Sequence, residues 1–320
     1  MLKINKITVK SILTKSGFPD DDFCINPYSG CLFGCSYCFA DFMRRFSGHA
    51  HEKWGEYVDI KVNAPELLEK ELMNLEKRII NGAWKSKSLR KKPSIVVGSV
   101  TDPYQGVEAK YEITRKCLEA IILSRSTAKF NILTKGHLVT RDVDLLRKIP
   151  SIVVGFTITT TDDTVSRLME GNAPPVSIRL KALKKLNDAG IGTYVCINPL
   201  LPNFVKNEKS ILKLFQAIRD TGNKEIWLEH INLGGNKLKR ITRILADKAP
   251  DQIRYFEAAK NEEYKNDLNR LIFRILEDFN FKIGGGGIFD HVRKTVIVRD
   301  KKDTKKMSKT DWVIEEVGNI

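Results

Sequence analysis

The stretch from Asn26 to Phe39 carries three of the chain's six cysteines, Cys31, Cys35 and Cys38, in the spacing C-x3-C-x2-C. Three thiolates so close together can share only one small metal centre. Soft sulfur ligands favour zinc, copper(I) or iron–sulfur. A structural zinc site wants a fourth protein ligand and usually comes as paired C-x2-C units; the chain has no second pair. A [4Fe–4S] cluster normally takes four cysteines, so three would leave one iron open to a ligand from outside the protein. A zinc knuckle, or three ordinary thiols, is the plainer alternative. Gly30 and Gly34 fit a loop that wraps closely around a cluster, because glycine lacks the Cβ that limits such wrapping.

The elements that must hold this loop read as alternating strands and helices. Phe23–Asn26 is the first core strand, and the cysteine loop follows it directly. Ala40–Phe46 begins a helix, and the stretch from His49 to Lys61 shows no clear period. Pro65 opens a helix in which Leu67, Leu68, Leu72, Leu75 and Ile79 recur at helical spacing, with Glu66 at its positive end. Ser94–Gly98 is a continuous apolar run, as expected of a parallel strand buried on both faces. Further strands are expected at Lys129–Thr134, Ser151–Ile158, Gly192–Ile197 and Glu225–Ile231, with helices at Tyr111–Arg125, Arg141–Arg147, Ser177–Ala189 and Lys209–Asp220. Six strands, each followed by a crossover, predict a parallel α/β sheet curled into a partial (β/α)6 TIM-type barrel. Sites in such barrels lie at the C-terminal ends of the strands, where the cysteine loop falls.

The reading divides the chain into a core domain, 1–235, and a charged C-terminal extension, 236–320. In the extension, residues 237–279 read as mainly helical and Gly284–Gly287 as a flexible turn. Lys294–Arg299 reads as a short strand, followed by a polar tail.

The chain has 320 residues and a net charge of +15, a balance compatible with a nucleic-acid partner. The denser basic runs, Lys85–Lys92 and Lys301–Lys306, are as readily solvated loops as binding surfaces. No run of eighteen apolar residues exists, which predicts no membrane-spanning helix. Residues Met1 to Lys10 alternate polar and apolar, as a strand does and the apolar centre of a signal peptide does not. A cytoplasmic location is therefore expected, where clustered cysteines mean metal or redox chemistry.

The C-x3-C-x2-C spacing followed by an aromatic residue resembles the signature of the radical S-adenosylmethionine (SAM) enzymes. Further stretches resemble the branch that is like spore photoproduct lyase. These are Thr101-Asp102-Pro103-Tyr104-Gln105 with Glu108, Thr114 and Arg115; Leu133-Thr134-Lys135 with Arg141 and Asp142; and Met169 to Pro174 with Arg179, Leu180 and Ala189 to Ile191. They occur in order over about residues 22–235.

The resemblance implies a [4Fe–4S] cluster on Cys31, Cys35 and Cys38, with SAM on the open iron. It also implies reductive cleavage of SAM to a 5′-deoxyadenosyl radical, and an external one-electron reductant of flavodoxin or ferredoxin type. It places Lys135, Thr157, Thr159 and Asp102 near SAM. Lys135 is otherwise a surface cation, the threonines ordinary strand residues, and Asp102 a turn cap before Pro103.

Two departures bear on the reaction. The lyases have a cysteine three positions before the Asp-Pro pair, and Ser99 stands there. A hydroxyl hydrogen is far harder to abstract than a thiol hydrogen, so Ser99 cannot replace it. Phe39 stands where those enzymes have tyrosine. Cys196, near the end of the fifth strand, and Tyr37 are the candidates to return a hydrogen atom. Of the neighbours Glu229 and His230, one must point inward by alternation, and His230 is the expected pocket residue.

The leading reading is a radical SAM enzyme acting on nucleic acid or a nucleotide. A radical SAM enzyme acting on a peptide or small metabolite is the alternative within the same class. A metal-containing nucleic-acid-binding protein without catalysis is the alternative from another.

Overall fold

A computed structural model of the protein describes residues 2–316 apart from 19, 86–91, 203–207, 291, 293–294 and 300–311, with 299 and 312–316 described in backbone only. Most of the first basic run and all of the second lie outside the described residues. The strands are β1 (Lys3–Ile7), β2 (Leu13–Lys15), β3 (Phe23–Ile25), β4 (Tyr28–Ser29), β5 (Tyr57–Lys61), β6 (Ser94–Val97), β7 (Lys129–Thr134), β8 (Ile152–Thr157), β9 (Gly192–Leu200), β10 (Glu225–His230), β11 (Lys282–Asp290), β12 (Thr295–Arg299) and β13 (Trp312–Glu316).

Ten of them form one sheet in the order β13-β12-β11-β10-β9-β8-β7-β6-β3-β2. From β3 to β11 every neighbour is parallel, and the order follows the chain without a switch. Right-handed crossovers then put the helices that connect the parallel strands on one face and curl the sheet the other way. The result is a partial (β/α) barrel, as expected. Ile95, Val97, Phe130, Ile132, Val154, Phe156, Val195, Ile197, Ile226 and Leu228 point outward and share the apolar core with Leu183, Leu186, Phe215 and Ile218 of the helices. The alternate residues line the inner face. There the register sets Thr157 beside Cys196 and Cys196 beside Trp227.

The helix Ala64–Ile80 buries Leu68, Leu72 and Leu75, as its spacing requires. The predicted helix after the cysteines is a 3-10 turn, Phe39–Arg45. Arg141–Arg147 is the end of one 3-10 turn and a short helix, Val143–Leu146. The helix Asp163–Glu170 was not anticipated; Asp162 caps it, accepting from the backbone N–H groups of Thr164 at 2.8 Å and Val165 at 3.3 Å. Beyond 235 the helices Lys237–Lys248, Ile253–Ala258 and Glu262–Leu276 match the expected helical stretch.

Two expectations need correcting. Gly284–Gly287 is not a flexible turn; it lies inside β11, a further parallel strand beyond the six. Between Ile226 and Leu228 the partner register jumps from Ile283 to Ile288, so the glycines form a bulge within the strand. A Cβ on Gly284 would lie 2.0 Å from the Trp227 ring, so the glycine there makes room for an indole. The stretch from His49 to Lys61 contains β5, which pairs with β1 in parallel and with β4 antiparallel. Its first four residues are all buried, which removes the alternation that marks a strand. Among the described residues no helix is long and apolar enough to cross a membrane.

Candidate active site

The cysteine loop leaves β3 at the C-terminal edge of the sheet and is tied down on several sides. Gly30 takes a φ of +84°, and its carbonyl accepts from the side chains of Thr101 at 2.5 Å and Gln105 at 3.2 Å. The same Gln105 accepts from the Leu32 N–H at 2.8 Å. From beyond β8, Asn172 donates through its side chain to the Leu32 carbonyl at 3.0 Å and through its backbone to Phe33 at 2.9 Å. The Ser36 N–H donates to Met169 at 2.8 Å. From beyond β10, Arg240 donates to the carbonyls of Ser36 and Cys38 and meets Asp41 at 3.0 Å. The segments quoted above for their resemblance, Thr101–Gln105 and Met169–Pro174, are thus the braces of this loop. Arg240 was missed, since nothing in the sequence links it to a loop two hundred residues upstream.

Cys31 and Cys35 are buried and Cys38 partly exposed, all as free thiols. Burial pushes each thiol up, Cys35 to about 12. The Asp102 carboxylate raises Cys31 further, and an ionised Cys35 or Cys38 would do the same, while the Lys135 cation opposes burial at Cys35 and Cys38. The three sulfurs are therefore electrostatic neighbours in one loop, with Cys38 at its more open side. Among the described residues no three His, Cys, Asp or Glu side chains converge on a single-ion site. In a cluster each thiolate binds a different iron, so convergence on one point is not required. Three soft thiols, raised by burial and faced by a lysine, fit an iron–sulfur cluster, whose metal charge would deprotonate them.

Beneath the loop lies a polar network that sequence reading did not assemble. Glu170 and Arg179 are fully buried and form an ion pair. The Glu170 carboxylate also accepts from Tyr37, from Thr159 at 3.2 Å and from Ser166 at 2.9 Å. Arg179 donates to the carbonyls of Pro174 at 2.7 Å and Thr157 at 3.2 Å. Burial alone would raise Glu170, but Arg179, Lys135 and the hydrogen bonds outweigh it and hold the carboxyl at about 2. Burial and the Glu170 anion push the Tyr37 phenol well up.

Lys135 sits with Nζ 5.6 Å from the Tyr37 ring centre. Burial works against its charge, but Cys35 and Glu170 outweigh it and raise it. Asp102 accepts from Thr134 Oγ1 at 2.6 Å, the Lys135 N–H at 2.7 Å and the Tyr104 N–H at 2.9 Å. It thus joins the turn after β6 to the end of β7.

Lys135, Tyr37, Thr159 and Asp102 are therefore gathered at the cysteine loop. Thr157 lies on the inner face, as does Cys196, whose thiol burial pushes up. Ser99 accepts from the Asn26 side chain at 2.9 Å, just before the loop. His230 turns outward instead of inward, meeting Asn269 of the helix Glu262–Leu276 at 2.8 Å. Alternation leaves Glu229 on the inner face. Cys117 is buried in the core on the helix Ile113–Ser124.

A family model described as the radical SAM superfamily matches residues 25–215. An uncharacterized protein of Methanocaldococcus jannaschii is 33% identical over 207 residues, covering 65% of this chain and 71% of its own. Spore photoproduct lyase complexed with dinucleoside spore photoproduct superposes with a TM-score of 0.64 at 17% identity, over 88% of this chain and 81% of the lyase. A variant of that lyase with bound AdoMet and dinucleoside spore photoproduct gives the same TM-score at 16% identity and the same coverage. At these identities the likeness is one of fold.

Proposed function

The chain belongs to the radical SAM superfamily and is a radical SAM enzyme, and from that premise we propose that it takes a hydrogen atom from a nucleic acid or nucleotide. We assign Cys31, Cys35 and Cys38 as the ligands of a [4Fe–4S] cluster, and Lys135 and Thr157 as contacts of SAM. Asp102 and Thr159 act on SAM through the residues they hold: Asp102 fixes Lys135, and Thr159 orients Glu170. When bound, the cluster supplies the electron that cleaves SAM to methionine and a 5′-deoxyadenosyl radical. The observation that carries this reading is the grouping of three neighbouring thiols, two buried and one partly exposed, with Lys135 at the C-terminal end of a parallel sheet. Gln105, Asn172 and Arg240 fix the loop's backbone.

The nucleic-acid part rests on the +15 charge and on the fold shared with a lyase solved with a dinucleoside lesion. Affinity for a short DNA or RNA oligomer should fall on the order of a thousandfold between about 50 and 200 mM salt if six or more phosphates are neutralised. Fluorescence anisotropy at a series of salt concentrations reads this. No binding at low salt, or affinity flat with salt, would move the substrate to the peptide or metabolite class.

The hydrogen-return step separates this chain from the lyase. Ser99 cannot donate as a thiol does, and the Tyr37 hydroxyl hydrogen is held by Glu170. Cys196 is the thiol on the inner face beside Thr157 and Trp227. The expected result with a dinucleotide spore photoproduct is no efficient repair by wild type and a gain in Ser99→Cys. Any catalysed return that wild type shows should be lost in Cys196→Ala. Fast repair by wild type, unchanged in Cys196→Ala, would show the assignment to be wrong.

A further inference from the structure

The inner face of the partial barrel carries a row of aromatic rings laid on glycine. On β7 and β10 burial alternates: the outward side chains are buried, while the inward Asn131, Leu133, Trp227 and Glu229 stay partly exposed. The hollow of the barrel is thus open to solvent along these strands. Tyr194 lies across β8, where a Cβ on its register partner Gly155 would fall 2.1 Å from the ring. Trp227 lies across β11, where a Cβ on Gly284 would fall 2.0 Å from the indole. A Cβ on Gly285 would fall 2.4 Å from the Phe289 ring and 3.4 Å from the indole. Glycine inside a strand weakens it and marks the close approach of another group; at Gly284 and Gly285 those groups are the two rings. A ring laid on glycine backbone covers it with one face and turns the other toward the hollow.

Trp227 and Phe289 are nearly parallel, 20° apart with centres separated by 6.0 Å, so they are slipped sideways and not stacked face on face. Both are partly exposed. Tyr194, edge-on to the indole at 6.4 Å and 62°, is buried beside them. Polar tethers fix this floor. Trp227 Nε1 donates to Glu225 at 3.1 Å, Glu225 pairs with Lys282 at 2.7 Å, and the Tyr194 hydroxyl meets the Asn131 side chain. The rings are therefore held before anything binds, which lowers the ordering cost of association. Two parallel ring faces side by side make a flat surface of the kind on which nucleobases stack. Its place also matters. Trp227 stands beside Cys196, and Cys196 beside Thr157, in one row across β10, β9 and β8.

We propose that Trp227 and Phe289 form a base-stacking subsite, which takes one nucleobase flat against the indole and beside Cys196. The proposal rests on the nucleic-acid reading above and narrows it. A base inside a duplex has both faces covered, so the base taken here is single-stranded or flipped out of its stack.

The test uses the full-length reconstituted protein and two DNA pentamers at low ionic strength. One is fully abasic, and the other is abasic except for a central adenine. Both carry the same phosphates, so the difference between them reads the base alone. Wild type should bind the one-base pentamer about tenfold more tightly, the ordinary worth of one stacked base, and that binding should quench tryptophan fluorescence. Trp227→Leu should bring the one-base pentamer down to the affinity of the abasic one. It should leave the abasic affinity and its salt dependence unchanged, since no phosphate contact is removed. Trp227→Phe, which keeps a ring over Gly284, should keep most of the preference and lose the quenching; it also carries the test should the leucine variant fail to fold. A preference for the base that survives in Trp227→Leu, or quenching that persists in Trp227→Phe, overturns the proposal. So does wild type that binds both pentamers equally, although the nucleic-acid reading then stands; wild type that binds neither removes both. An aromatic tetrapeptide that quenches Trp227 where the one-base pentamer does not would give the subsite to a peptide and overturn the proposal as well.

Discussion

Arg179→Met should destabilise the iron-free protein by about 3–5 kcal/mol, the usual cost of removing one partner of a buried ion pair. The reason is the charge left behind. Glu170 is buried, and without Arg179 only Lys135 and the neutral donors Tyr37, Thr159 and Ser166 remain to compensate it. Arg179 also spans from Pro174 to the Thr157 carbonyl, so its loss frees the end of β8 from the helix Val176–Asp188. Removing both charges in Glu170→Leu/Arg179→Met should cost less than the sum of the single changes, because no uncompensated charge stays buried. The pH dependence has a definite sign. Glu170 is held at about 2 in the folded protein and titrates near 4.3 when unfolded. Its stabilising contribution is therefore present above about pH 4.3 and lost as pH falls toward about 2. Urea unfolding of wild type and Glu170→Gln should differ most near neutrality and converge in acid. A difference independent of pH across that window would show that Glu170 is not ionised in the fold.

Replacing any one of Cys31, Cys35 and Cys38 with alanine should abolish stable iron binding and SAM cleavage. Cys24→Ala, Cys117→Ala and Cys196→Ala should each assemble the cluster. The first three thiols share one loop, Cys31 and Cys35 buried and Cys38 partly exposed. By contrast Cys24 lies on β3 against Thr14, Cys117 in the core helix Ile113–Ser124, and Cys196 on β9. Iron and sulfide content after anaerobic reconstitution checks this directly. A Cys35→Ala protein that keeps its full iron would remove the ligand assignment. A colourless wild type carrying zinc would favour the metal-containing binding protein over the enzyme's proposed cluster.

What could be seen in advance follows how local each signal is. The cysteine loop was legible because three cysteines and their spacing lie within eight residues. The strands β6 to β10 were legible because buried parallel strands are short apolar runs between helical periods. β5 was not, because it is buried on both faces and so shows no alternation. β11 was misread because a glycine run ordinarily breaks a strand; only the Trp227 ring lying over Gly284 explains why it does not. Glu170 and Arg179 were noticed as parts of family-like stretches, yet their pairing depends on a helix folding back over the end of β8. Between Glu229 and His230 alternation allowed either to face inward. The choice fell wrongly on His230, because Asn269 lies on a helix whose placement no local pattern announces.

The most direct test of the account follows the abstracted hydrogen atom. Reconstituted, reduced enzyme would be given SAM with uniformly deuterated DNA, RNA or peptide mixtures, and the 5′-deoxyadenosine formed would be weighed by mass spectrometry. The account predicts deuterium in 5′-deoxyadenosine from a nucleic-acid arm and none in protein carrying Cys35→Ala. Deuterium arriving only from the peptide arm would contradict it.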